Sequence, residues 1–154
     1  MIYLRNTTRR HRLATGRIAK VARALLAAVD RPGAALSLSF VGDAAMRRLN
    51  HEHRGKDRTT DVLSFPLHEP FAVPKRAGPG EPELLLGDII ISVDVAARQA
   101  AAYDASLQRE IERLLIHGVL HLLGHDHEEP RERARMLREE RRLAAAIGLP
   151  WPEF

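Results

Sequence analysis

The chain has 154 residues, with 24 Lys and Arg against 20 Asp and Glu, eight His and no Cys. That length suits one domain that buries roughly 68–70% of the surface of its unfolded chain, and 45% hydrophobic residues exclude wholesale disorder. Zero Cys excludes a disulfide framework, a thiol nucleophile and any thiolate metal site, while a formal charge of +4 carried by 21 Arg and 3 Lys suits phosphate ligands and is also what a GC-rich coding sequence produces.

At the N-terminus the basic residues up to Arg12 are not followed by the apolar stretch of a secretory signal, and no run of about 18 apolar residues exists to span a membrane. With no Cys, the expected compartment is the cytoplasm. Ile18, Val21, Ala22, Leu25, Leu26 and Val29 repeat at helical spacing, and Arg31-Pro32-Gly33 ends that helix. Leu36 to Phe40 alternates as a half-buried strand does. Gly42-Asp43 starts a short helix through Met46 and Leu49, and a polar stretch from His51 to Asp61 leads into a second strand, Val62 to Phe65. Five of the nine prolines and two glycines lie between Pro66 and Pro82, which marks a long loop. Leu84 to Ile91 reads as an inner strand covered on both faces, Ser92 to Tyr103 as an Ala-rich helix, and Ser106 as the cap of a helix with the stripe Ile111, Leu114, Leu115 and Leu122. A last helix, Glu128 to Ile147, carries charges on one side and Met136, Leu137, Leu143 and Ile147 on the other. This mixture predicts a single α+β domain over 1–154, a small mixed sheet packed with several helices.

The chemistry concentrates in His117-Gly118-Val119-Leu120-His121-Leu122-Leu123-Gly124-His125-Asp126-His127. His117 and His121 are i and i+4, so both rings leave one helix face and can reach one ion. Gly124 can end the helix and let the chain bring back a third His. The offsets match His-x-x-x-His-x-x-Gly-x-x-His, the metal-binding part of the metzincin pattern. This favours His127 as third ligand, with His125, also i+4 from His121, as a residue lining the site. Three His with an open position describe a catalytic zinc. The Glu that acts as general base in zinc proteases is replaced by Gly118, which disfavours peptide hydrolysis. A bound metal still polarises a phosphoryl oxygen. The basic run His53-Arg54-Gly55-Lys56-Asp57-Arg58 before the second strand could clamp phosphate or RNA backbone, or be a solvated loop paired with Asp57 and Asp61.

The His motif resembles the signature of the YbeY family of bacterial rRNA maturation factors, His-Gly-x-Leu-His-Leu-x-Gly-Tyr-Asp-His. Arg54 to Pro66 is similar to that family's Arg-Gly-Lys-Asp-x-Pro-Thr-Asp-Val-Leu-Ser-Phe-Pro, and Leu86 to Ser92 to its Leu-Gly-Asp-Ile strand. The resemblance implies a metal-dependent, single-strand-specific endoribonuclease acting in ribosomal RNA maturation, including the small-subunit 3′ end, and in ribosome quality control. It implies zinc on His117, His121 and His127, and a functional Arg54 that holds the scissile phosphate. Two departures stand out: His125 replaces the family's Tyr, and Thr59 its Pro, which frees one φ.

The expected mechanism places zinc and Arg54 at the phosphodiester, with His117 and Arg54 as the catalytic pair and Lys56 and Arg58 on neighbouring phosphates. The basic first helix (Arg17, Lys20, Arg23) widens the electrostatic surface. The expected partners are single-stranded ribosomal RNA and the ribosome, with neither DNA nor membrane. The alternatives are a metal-dependent peptidase or amidohydrolase, or a non-catalytic ribosome-binding factor with structural zinc. Only 5% of the residues are Phe, Trp or Tyr, so backbone contacts rather than base stacking are expected to dominate RNA binding.

Overall fold

The computed structural model describes residues 1–151. In chain order its elements are β1 (Ile2–Asn6), α1 (Thr15–Ala28), β2 (Ala35–Val41), α2 (Asp43–Arg54), β3 (Val62–Pro66), β4 (Leu85–Ser92), α3 (Val93–Ala102), α4 (Leu107–Leu123) and α5 (Pro130–Ala146). The strands form one sheet in the order β1-β2-β4-β3. The first three run parallel, and β3 lies antiparallel to β4 at the edge. The expected α+β class with a small mixed sheet holds.

The sheet faces explain the sequence pattern. Leu36, Leu38 and Phe40 of β2 and Ile89 and Ile91 of β4 join Ile18, Ala22, Leu25 and Leu26 of α1 and Leu114, Leu115 and Val119 of α4 in the main core. On the opposite face Ile90 and Phe65 pack with Val41, Met46 and Leu63, and with Ala45 and Leu49 of α2. So β4 is covered on both sides, as its unbroken apolar run requires. Where β4 begins, the register with β2 slips by one residue, a bulge that increases local twist. Gly87 sits there with φ 149°, and a Cβ on it would lie 2.3 Å from the Phe65 carbonyl oxygen.

Three local readings change. β1 lies outside the elements that the sequence pattern predicts; its five residues occupy an edge with only one half-buried face, too short an alternation to stand out among basic neighbours. The stretch from His51 to Asp61 is not all loop, because α2 continues to Arg54 and ends at Gly55, whose φ of 68° is left-handed. The last turn was hidden because His51 to Arg54 face solvent and carry no apolar periodicity. Beyond it, buried Asn50 donates from Nδ2 to the Arg58 carbonyl at 2.8 Å, which fixes the loop that lacks the proline at Thr59. Between β3 and β4 the proline-rich loop is docked rather than free. Phe71 N–H donates to the Leu123 carbonyl at 2.8 Å, and Arg31 donates to the Val73 carbonyl at 2.7 Å.

Candidate metal centre and its cleft

Helix α4 begins at Ser106, whose side chain accepts from the Arg109 N–H, and buries Leu114, Leu115, Ile116, Val119 and Leu122. That burial fixes the rotation of the helix and turns His117 and His121 toward a cleft. The helix ends in a Schellman arrangement: the His125 N–H donates to the Leu120 carbonyl at 3.0 Å and the Gly124 N–H to the His121 carbonyl at 3.1 Å. Gly124 has φ 116°, and a Cβ there would meet Phe71 N at 2.6 Å and Pro70 Cα at 2.7 Å. The turn returns the chain so that His127 faces the two helical histidines. The Asp126 carboxylate holds it by accepting the His127 N–H at 2.7 Å.

One ring nitrogen from each of His117, His121 and His127 lies within 4.8 Å of the others. Ligand bonds of about 2.0–2.1 Å in a tetrahedron put nitrogens roughly 3.3 Å apart, and His117 Nε2 and His121 Nε2 stand 3.0 Å apart. The donor set fits zinc: imidazoles only, and His121 neutral. Burial, and then the neighbouring His117 and His127, push the His121 pKa down to about 4, so its nitrogen lone pair is free near neutrality. His125 does not join them. Its ring packs edge-on against Phe71 with centroids 5.1 Å apart, and Arg135 lies 4.2 Å above the Phe71 ring. Burial, with Arg135 nearby, lowers the pKa of His125 also.

The cleft holds about 730 Å³ and is lined by the triad, His125, His53, Arg54 and the whole of β3. Arg54 stands on the last turn of α2 and reaches this lining, whereas Lys56 and Arg58 lie exposed on the loop beyond it. The acids do not neutralise them. Asp57 pairs with Arg47 at 2.8 Å, and Asp61 accepts from Val62 N–H at 2.8 Å and Gln99 at 3.3 Å. Among the described residues none of Arg54, Lys56 and Arg58 has a carboxylate partner.

Comparison with known proteins gives this arrangement a family. Residues 3–148 match the family described as Endoribonuclease YbeY. The chain belongs to the endoribonuclease YbeY family. A YbeY relative from Anaeromyxobacter sp. (strain Fw109-5) is 49% identical over 91% of this chain and 68% of its own length. Another from Desulfitobacterium hafniense is 42% identical over 84% of this chain and 82% of that one. In Myxococcus xanthus the match is 48% identical but spans 42% of the relative. The solution structure of TM1509 from Thermotoga maritima has the same fold, with a TM-score of 0.64 at 23% identity over 96% of this chain and 89% of that one.

One residue at this YbeY site had no signal in the sequence. Glu140, on α5, places Oε1 3.1 Å from His117 Nδ1. A carboxylate on Nδ1 fixes the tautomer and leaves Nε2 for a ligand bond. Glu140 sits in a helix dense with charges, 23 residues from its partner, and only the packing of α5 on α4 singles it out. Gly118 also acquires a reason. A Cβ there would lie 2.8 Å from Ile89 Cδ1, so the position faces the sheet, and no side chain there could serve as base in the cleft.

Proposed function

We propose that the protein is a zinc-dependent endoribonuclease that cuts single-stranded RNA, with ribosomal RNA near the small-subunit 3′ end as substrate, the ribosome as partner and the cytoplasm as its compartment. The observation that carries this reading is the convergence of three imidazoles in a cleft that also receives Arg54, which has no carboxylate partner among the described residues. His117, His121 and His127 would hold the ion, which when bound polarises a phosphoryl oxygen and lowers the pKa of water to about 7. Glu140 keeps His117 in the required orientation. Arg54 binds the scissile phosphate and stabilises charge developing on its oxygens. Lys56 and Arg58, outside the cleft, hold neighbouring phosphates and set register without reading sequence. A peptidase reading lacks the general base that zinc proteases of this pattern carry after the first His, since that position is Gly118 and faces Ile89.

Cleavage of a labelled single-stranded RNA, its duplex and a peptide panel, each with and without chelator, tests the reading. The single strand should be cut, chelator should stop the reaction and zinc restore it, and Arg54→Ala should lower the rate about 10²–10³-fold. Peptide cleavage without RNA cleavage, or an Arg54→Ala protein as active as the parent, would overturn it. A 2′,3′-cyclic phosphate on the product would identify the RNA 2′-OH as the attacking group, and a 3′-hydroxyl with a 5′-phosphate would identify water.

A further inference from the structure

The cleft straddles the free edge of the sheet. Ser92 N–H donates to the Asp61 carbonyl at 2.9 Å and Leu67 N–H to the Leu86 carbonyl at 3.2 Å, so in this antiparallel pair the backbones of Val62, Ser64 and Pro66 face outward. The Val62 N–H is taken by the Asp61 carboxylate at 2.8 Å and Pro66 has none, which leaves Ser64 as the outward backbone donor of the strand. Side chains alternate across it. Val62 packs with the α4 side of the sheet and Phe65 with the α2 side. On that second side His53 closes on Phe65, with ring centroids 5.0 Å apart and planes at 65°. His53 is exposed, precedes Arg54 on the last turn of α2, and lines the cleft together with Phe65, Ser64 and the triad.

We infer that the His53–Phe65 pair is a nucleobase-stacking subsite: a base next to the phosphate on Arg54 lies on these rings, with its edge within reach of the Ser64 backbone. The inference rests on the RNA reading above and adds a basis for single-strand preference. A base can reach a ring platform only when unpaired and unstacked, and base–ring stacking is tolerant of sequence. The 5% of Phe, Trp and Tyr does not measure this grip, because one of the two rings is an imidazole. The adjacent cations Arg54, Lys56 and Arg58, without a carboxylate partner among the described residues, favour a polyanion over an extended peptide on the same strand edge.

The test is fluorescence anisotropy with a 2′-O-methyl single-stranded oligonucleotide, intact or with one abasic position stepped along it, using the parent protein, His53→Ala and His53→Tyr. His53→Ala should weaken binding of the intact strand roughly five- to tenfold or more, and His53→Tyr should restore it. One abasic position should weaken the parent by a similar factor and His53→Ala hardly at all. The same split should appear in cleavage as a raised KM with kcat little changed. Equal binding by parent and His53→Ala, or an abasic penalty that His53→Ala retains in full, would sink the subsite and leave the nuclease reading standing. Failure of the parent to bind any single strand, or displacement of RNA by an extended peptide alone, would sink the RNA reading itself.

Discussion

At the scale of single residues, two residues next to His117 act through shape and orientation rather than chemistry of their own. Gly118 is one. Ile89 is fully buried, and its Cδ1, Cγ2 and Cγ1 would lie 2.8, 3.0 and 3.1 Å from a new Cβ, so it has nowhere to retreat. Overpacking of this kind costs about 1–3 kcal/mol, against roughly 1 kcal/mol gained in helix propensity when Gly becomes Ala. Gly118→Ala should therefore destabilise by up to about 2 kcal/mol in urea unfolding. Ile89→Val removes the nearest methyl at a cost of about 0.5–1.5 kcal/mol alone, and the double variant should lose less than the two singles together. Strict additivity would show that the contact is not the cause. Glu140 is the other. Replacing it with Ala frees the His117 ring to rotate, and a lost carboxylate partner typically lowers metal affinity about 10–100-fold. Competition with a zinc indicator should read that loss, with Glu140→Gln retaining most of the affinity through its amide oxygen. Unchanged affinity in Glu140→Ala would make the contact incidental.

At the scale of elements, the end of α4 does two jobs: it turns His127 back toward the helix and anchors the proline-rich loop through Phe71. Gly124 lies at φ 116° with loop backbone 2.6–2.7 Å from where a Cβ would stand, whereas Gly55, at φ 68°, has nothing within 4 Å. Both are helix-ending glycines, so Gly55→Ala should cost only the left-handed strain of about 1–2 kcal/mol. Gly124→Ala should cost more and should also weaken zinc binding. Equal falls in Tm and intact zinc affinity in Gly124→Ala would contradict the coupling. This element was also the most legible one. Helical spacing, a glycine and a third histidine all fall within 11 consecutive residues of the sequence, and local geometry alone brings the rings together. β1 and the last turn of α2 were not legible, because an edge strand and a solvent-facing turn bury little and leave no apolar period. Glu140 needed the packing of two helices, which no local pattern encodes. The docking of the proline-rich loop was equally hidden, since its anchor points are a backbone N–H and backbone carbonyls, which carry no residue-type signature.

At the scale of the whole molecule, the triad sets how stability responds to pH. Burial first, then the proximity of His117 and His127, lowers the His121 pKa from 6.5 to about 4. In metal-free protein between those values the unfolded chain takes up a proton at this residue and the folded chain does not. Stability must therefore fall as pH drops from about 6.5 to about 4, and this contribution levels off below. His125, lowered in the same direction, adds to the slope. The carboxylates act elsewhere. The Arg98 guanidinium lowers the Asp43 pKa from 3.8, so that pair contributes above this value and is lost only in stronger acid. Urea unfolding in chelator from pH 8 to pH 4 should show stability falling through the His window, with a shallower fall in His121→Asn. Zinc should stabilise the parent at neutral pH through its preference for the folded state. That gain should shrink as protons compete for the same nitrogens, and His121→Asn should lose most of it. Parallel pH curves for the parent and His121→Asn in chelator would show that His121 is not held neutral by its burial.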